Sequence, residues 1–155
     1  MDFFKPILSN SILFCTLSSW LIAQFLKIII ELLNKKKMKT KDLIFRALFG
    51  TGGMPSSHSA AISSVAVSIG MKEGFDSPLF AFALLMVIII IRDATGVRLS
   101  AGKQAEAINK ILTKIHLTDK MPYSKVKEVR GHTPLETFVG AIIGILVSLG
   151  MYLIA

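Results

Sequence analysis

Cysteine is nearly absent: Cys15 stands alone inside an apolar run. One thiol closes no internal disulfide and has no companion for a metal motif, so a disulfide scaffold and a cysteine-held metal are both excluded. Acidic residues are few as well, ten Asp and Glu against 18 Lys and Arg, for a net charge of +8. That balance disfavours cationic partners and points to anionic ones: phosphate groups, acidic lipid or nucleic acid. The N-terminus has no basic leader region and no small-residue cleavage site, and its apolar stretch is too long for a signal peptide. It reads as a retained membrane span. There is no internal repeat, lipidation signal or heptad seam. What the chain has in quantity is apolar residues, 52% of the total, with a mean hydropathy of +0.62. That is high for a soluble domain whose surface must be charged, and it argues against a soluble nucleic-acid binder. A chain of 155 residues is expected to form one domain.

The apolar residues fall in four stretches, which predict an all-α integral membrane protein, a bundle of about four spans at residues 7–33, 55–71, 75–93 and 133–154. Ile7 to Leu33 would be roughly 40 Å long as a helix, enough to cross with tilt. Within it Gln24, Lys27 and Glu31 share one face. They make either a snorkelling Lys27–Glu31 pair or a polar stripe turned toward a site inside the bundle. The second span is rich in Ser and Ala, which lets another helix approach closely. The third is short and ends in Arg92 and Asp93. Residues 94–115 have helical periodicity, with Val97, Ala101, Ala105, Ile108, Leu112 and Ile115 on one side. That suits an amphipathic helix lying on the membrane or against the bundle. The last span carries Gly140 and Gly144, continued by Ser148, as a close-packing stripe.

Charge sets the expected orientation. Of the 18 Lys and Arg, Lys5, Lys27 and Lys72 are the three outside the connections between spans one and two and between spans three and four, leaving 15 within them. The excess marks the cytoplasmic side, which places both termini and the Lys72–Ser77 turn outside. His58, Arg92, Asp93, Arg98 and His132 then meet at the cytoplasmic face of what is expected to be the plasma (inner) membrane.

Three polar clusters carry the chemistry. In Gly50-Thr51-Gly52-Gly53-Met54-Pro55-Ser56-Ser57-His58-Ser59 the glycines free the backbone and Pro55 suits a first helical turn. Backbone N–H groups and the Ser56 and Ser57 hydroxyls then offer an anion site at the positive end of a helix, with His58 placed to handle a proton. Arg92 and Arg98 bracket a glycine-containing bend, Asp93-Ala94-Thr95-Gly96-Val97; they either grip phosphate oxygens, or satisfy Asp93, or anchor head groups. In Gly131-His132-Thr133-Pro134-Leu135-Glu136 the carboxylate lies four residues after the imidazole and can orient it as a nucleophile toward phosphorus. Thr133, Pro134 and Glu136 also form a capping box, which leaves His132 unexplained.

These three blocks, in this order, resemble the divergent branch of the phosphatidic-acid phosphatase type 2 (PAP2) superfamily, related to acid phosphatases and vanadium-dependent haloperoxidases. The resemblance implies a lipid phosphatase working through a phosphohistidine, with His132 as nucleophile, Glu136 as its orienter and His58 as general acid. Lysine and arginine would hold the phosphate: Arg98, Lys39 and Arg46 from motif positions, with Lys27 and Arg92 beside them. Ser57 stands where the motif has glycine, Glu136 where it has aspartate, Val126 where it has arginine and Ala47 where it has proline. The substrate expected is a phosphomonoester or diphosphate of a lipid, with no cofactor, no metal and no nucleic-acid partner. Two alternatives stand beside it. One is a non-catalytic lipid-phosphate binder or transporter on the same scaffold. The other is a metal hydrolase using His58, Asp93, His132 and Glu136.

Overall fold

The computed structural model describes residues 7, 9–33, 52–119, 123–129 and 131–154. All regular structure among them is helical. Helix α1 (Ser11–Leu33) starts later than the apolar run at Ile7, because the Asn10 side chain accepts from the N–H groups of Ile12 and Leu13 and caps it there. Helix α2 spans Ser57–Glu73 and α3 spans Pro78–Arg92. A π-helical turn, Asp93–Val97, passes into α4 (Arg98–Asp119), and α5 (Pro134–Ile154) closes the chain.

The bundle is built around α2, which packs against α1, α3 and α5. Its composition explains that place. Ser59, Ala60, Ser63, Ser64, Ala66, Ser68 and Gly70 are all buried, and such small residues let neighbouring helices pack closely. Gly140 of α5 lies over the Ser56 carbonyl and Gly144 over the Ala60 carbonyl. Where the interface holds side chains, they are hydroxyls. Ser64 and Ser148 share a 2.7 Å hydrogen bond, Ser68 donates to Ser148 at 3.2 Å, and Ser148 donates to the Ser64 carbonyl. On the α1 side Ser19 donates to the Ala60 carbonyl. Against α3 the contact is apolar, Ala66 and Ile69 on Ala83.

The large apolar side chains point the other way. Phe14, Leu17, Phe25, Phe82, Leu85, Ile88, Phe138 and Leu146 are exposed on the outer faces. Three helical segments, Ser11–Leu33, Pro78–His116 and Pro134–Ile154, are long and apolar enough to cross a membrane. Helix α2, at 17 residues, is shorter than these and carries the polar interior that they surround.

The structure departs from the sequence reading at residues 92–98. The expected bend is a continuous helix instead: the Arg98 N–H reaches back five residues to the Asp93 carbonyl, so the turn widens without breaking. Helices α3 and α4 form one rod, of which 39 residues qualify as a span, about 58 Å in length against a hydrocarbon core of about 30 Å. Of the apolar side expected on α4, Val97, Ala101, Ile108 and Ile115 are exposed, Leu112 is half-buried and Ala105 is buried; Ala94 and Asn109 are buried outside it, and Asn109 bonds the returning segment 123–129.

Candidate active site

Gly52 and Gly53 bring the chain into α2 with φ of 88° and 90°, a conformation that side chains disfavour. Pro55 does not open the helix as expected; it is buried one residue before the cap. Ser56 is the cap, its hydroxyl accepting from the Ser59 N–H at 3.3 Å, and Ser57 is the first helical residue. The Ser56 hydroxyl is therefore occupied within the turn, and Ser57 is buried beside it. His58 follows and is exposed.

His132 arrives from the opposite direction and is fixed by its backbone. Its N–H donates to the Ala94 carbonyl in the π turn at 3.0 Å. Gly131, just before it, lies so close to the backbone of Leu99 that no side chain fits. The imidazole is buried, at 8% exposure. Its Nδ1 lies 3.1 Å from Glu136 Oε2, and the same oxygen accepts from the Thr133 N–H at 3.0 Å. The Glu136 N–H meets the Thr133 hydroxyl at 3.4 Å, so capping box and imidazole pair are built from one carboxylate. The Gly53 backbone lies near the ring and favours its charged form. His132 precedes α5, and burial lowers its pKa below the ordinary histidine value, opposed in part by the hydrogen bond and charge of Glu136. At neutral pH the ring is the uncharged imidazole, the form with a lone pair to share.

The two histidines share an electrostatic neighbourhood, close enough that a proton on His132 is felt at His58. Lys27 acts on both rings. It is buried to 3% exposure, and a side chain at Gly53 would come within 2.9 Å of its Cε and 3.4 Å of Glu31 Oε1. The Gln24–Lys27–Glu31 stripe thus turns inward, and Lys27 is the basic group beneath the glycine loop. Arg98 acts on His58, while its guanidinium is paired with Asp93 across the π turn. Arg92 is exposed at the end of α3. Lys39 and Arg46 lie outside the described residues.

A cavity of about 1080 Å³ opens beside His132, between Gly53, Glu136, one face of α4 and the segment leading to Gly131. Sequence reasoning missed the clamp that forms its wall. Asn109, buried in α4, donates through Nδ2 to the Val126 carbonyl at 2.9 Å and to Glu128 Oε1 at 2.8 Å, and accepts from the Val126 N–H at 2.8 Å. An asparagine on a charged and apolar helix was the available signal. Among the described residues, no group of three or more His, Cys, Asp or Glu side chains could hold a metal ion.

An all-α membrane protein with a histidine–carboxylate pair at one helix start, facing a glycine loop and a second histidine at another, is the class these features define. The chain belongs to the Divergent PAP2 family, whose model matches residues 8–147. It is also similar to the "Uncharacterized membrane protein YuiD" of Bacillus subtilis (strain 168), at 35% identity over 154 residues, covering 92% of this chain and 94% of the relative. No solved structure matches.

Proposed function

We propose that the protein is a membrane lipid-phosphate phosphatase that hydrolyses a phosphomonoester or diphosphate of a lipid through a phosphohistidine on His132. The observation that carries the reading is the buried His132–Glu136 pair, 3.1 Å apart, with Lys27 acting on it and on His58. Nε2 of neutral His132 attacks phosphorus, and the bond to the ester oxygen breaks as that oxygen takes a proton from His58. Glu136 stabilises the imidazolium character that develops on His132. In the second step His58, now neutral, takes a proton from water as the water oxygen bonds phosphorus, and the P–N bond breaks to return the imidazole. Lys27 and the N–H groups opening α2 offset charge on the equatorial oxygens throughout, and such electrostatic stabilisation is expected to contribute most to the rate. The exposure of His58 suits proton exchange with solvent between the steps.

The reading includes an orientation. The site is taken to face the cytoplasm from the plasma membrane with both termini outside, because 15 of the 18 Lys and Arg fall in the two connections on that side. The test is phosphate release from a panel of lipid phosphates by purified wild type and His132→Ala, with and without chelator. Full activity in His132→Ala refutes the phosphohistidine, and loss on chelation restored by metal favours a metal hydrolase. Lipid-phosphate binding that survives replacement of both histidines by Gln, without turnover in wild type, marks a non-catalytic binder.

A further inference from the structure

The cavity beside His132 is far larger than a phosphoryl group needs. At about 1080 Å³ it reaches the upper end of the roughly 300–1,000 Å³ of clefts that enclose whole small molecules. Most of the residues that line it carry charged or polar side chains. Lys103, Lys125 and Glu31 line it together with Thr133 and Glu136. The walls are tied in place at both ends. At one end Asn109 fastens Val126 and Glu128 to α4; at the other, Gly131 rests on Leu99 and His132 bonds Ala94. A compartment so held is preformed, and it begins at Gly53 and at Glu136, the carboxylate that pairs with the His132 ring.

We infer that this compartment receives a hydroxyl-rich polar body attached to the phosphate on which the histidines act. The inference rests on the phosphate-ester reading above and names the class of ester. The lining has ammonium donors in Lys103 and Lys125 and a carboxylate acceptor in Glu31. A polyol satisfies both kinds, because each hydroxyl donates and accepts. A second bare anion would meet Glu31 and Glu136, and a prenyl or acyl group would leave the charged lining without partners. The polyol can be the head of a lipid or a free sugar phosphate; the chemistry recognised is the same.

The test is calorimetric binding to His132→Ala protein in detergent, where turnover does not interfere. Three phosphomonoesters are compared: a prenyl phosphate, a lipid bearing its phosphate on a polyol head, and a water-soluble hexose phosphate. The lipid-linked polyol phosphate should bind about tenfold or more tightly than the prenyl phosphate, a gain of roughly one or two new hydrogen bonds to charged groups. Lys103→Glu combined with Lys125→Glu, both at exposed positions, should remove most of that advantage. Hexose phosphate binding as tightly as the lipid-linked ester supports the compartment and identifies a soluble source. Equal or stronger binding of prenyl phosphate overturns the inference, as does an equal loss for all three in the double variant or no binding of either polyol ester. Phosphate release by wild type on the same panel judges hydrolysis separately: selective binding without turnover overturns the hydrolase and leaves the compartment supported.

Discussion

Gly140→Ala places one methyl group where α5 crosses the cap of α2. Its Cβ would run into the Ser56 carbonyl oxygen and lie 3.1 Å from the Ser56 carbonyl carbon and 3.2 Å from Ser59 Cβ. Carbon atoms pack at roughly 3.5–4.0 Å, so α5 must withdraw by about half an ångström or more. The obstacle is backbone in the first turn of a helix and cannot rotate aside. One turn earlier the Ser56 N–H donates to the Glu136 carbonyl at 2.9 Å, so the same displacement pulls the His132–Glu136 pair from the glycine loop. Overpacking of this kind costs about 1–3 kcal/mol, and the upper half of that range corresponds to a melting point roughly 5–10 °C lower in a chain of this size. Displacements approaching an ångström at a reacting pair cost on the order of a hundredfold in rate. Thermal unfolding in detergent and phosphate release should therefore fall together. Gly150→Ala is the control: nothing lies within 4 Å of a Cβ there, so the same change should be neutral or stabilise by up to about 1 kcal/mol through helix propensity. If the two variants melt alike and match in turnover, α5 does not approach α2 as closely as the glycines imply.

Four further outcomes follow from the site. Burial lowers the His132 pKa, so the acid limb of kcat/KM should have its midpoint below about 6.5; Glu136→Gln removes the charge that raises it and should move the limb further toward acid while lowering the rate. Lys27→Met should weaken orthovanadate binding by roughly tenfold to a hundredfold, the worth of one charged hydrogen bond, measured by competition. Ser148→Ala deletes three buried hydrogen bonds to Ser64 and Ser68 and should cost about 1–2 kcal/mol in thermal unfolding, with vanadate affinity unchanged. Asn109→Ala should speed amide exchange at Val126 and its neighbours with no change in α1, α2 or α5; unchanged exchange would mean that the amide does not hold the segment.

What was legible in the sequence was whatever a local rule could carry. The all-α membrane class follows from apolar runs of spanning length, and the cap-and-glycine chemistry of residues 52–59 and 131–136 follows from residue type at fixed spacing. The inward turn of Gln24, Lys27 and Glu31 was one of two open readings, and packing decided it: Gly53 has no side chain, which leaves the space that Lys27 fills. Residues 92–98 escape local rules for the opposite reason. A glycine between arginines suggests a bend, yet one register shift to i→i+5 absorbs the strain, and nothing in the local composition marks it. Hydrophobic periodicity places Ala105 on the apolar side of α4, where it is buried, but it cannot mark Asn109, whose amide holds segment 123–129.

Helix polarity explains why a buried lysine suits this end of the bundle. Helices α2 and α5 both begin here, close enough that the first exchanges a backbone hydrogen bond with the second, Ser56 to Glu136. Each start presents N–H groups without intrahelical partners and about half a positive charge. Helix α1 ends here instead and brings the opposite sign, reinforced by the Glu31 carboxylate beside the glycine loop. Without Lys27 the negative end of α1 would offset one of the two positive helix starts, and an anion would gain little over water. With Lys27 buried on that same helix, two turns' worth of N–H groups and one ammonium face the loop together. Their combined field acts where dielectric screening is weak. An anion bound here gains the ammonium's charge as well as that of the helix starts, so vanadate should stabilise wild type against heat more than it stabilises Lys27→Met. Equal stabilisation of the two proteins would mean that the lysine serves the fold and leaves the anion to the helix ends.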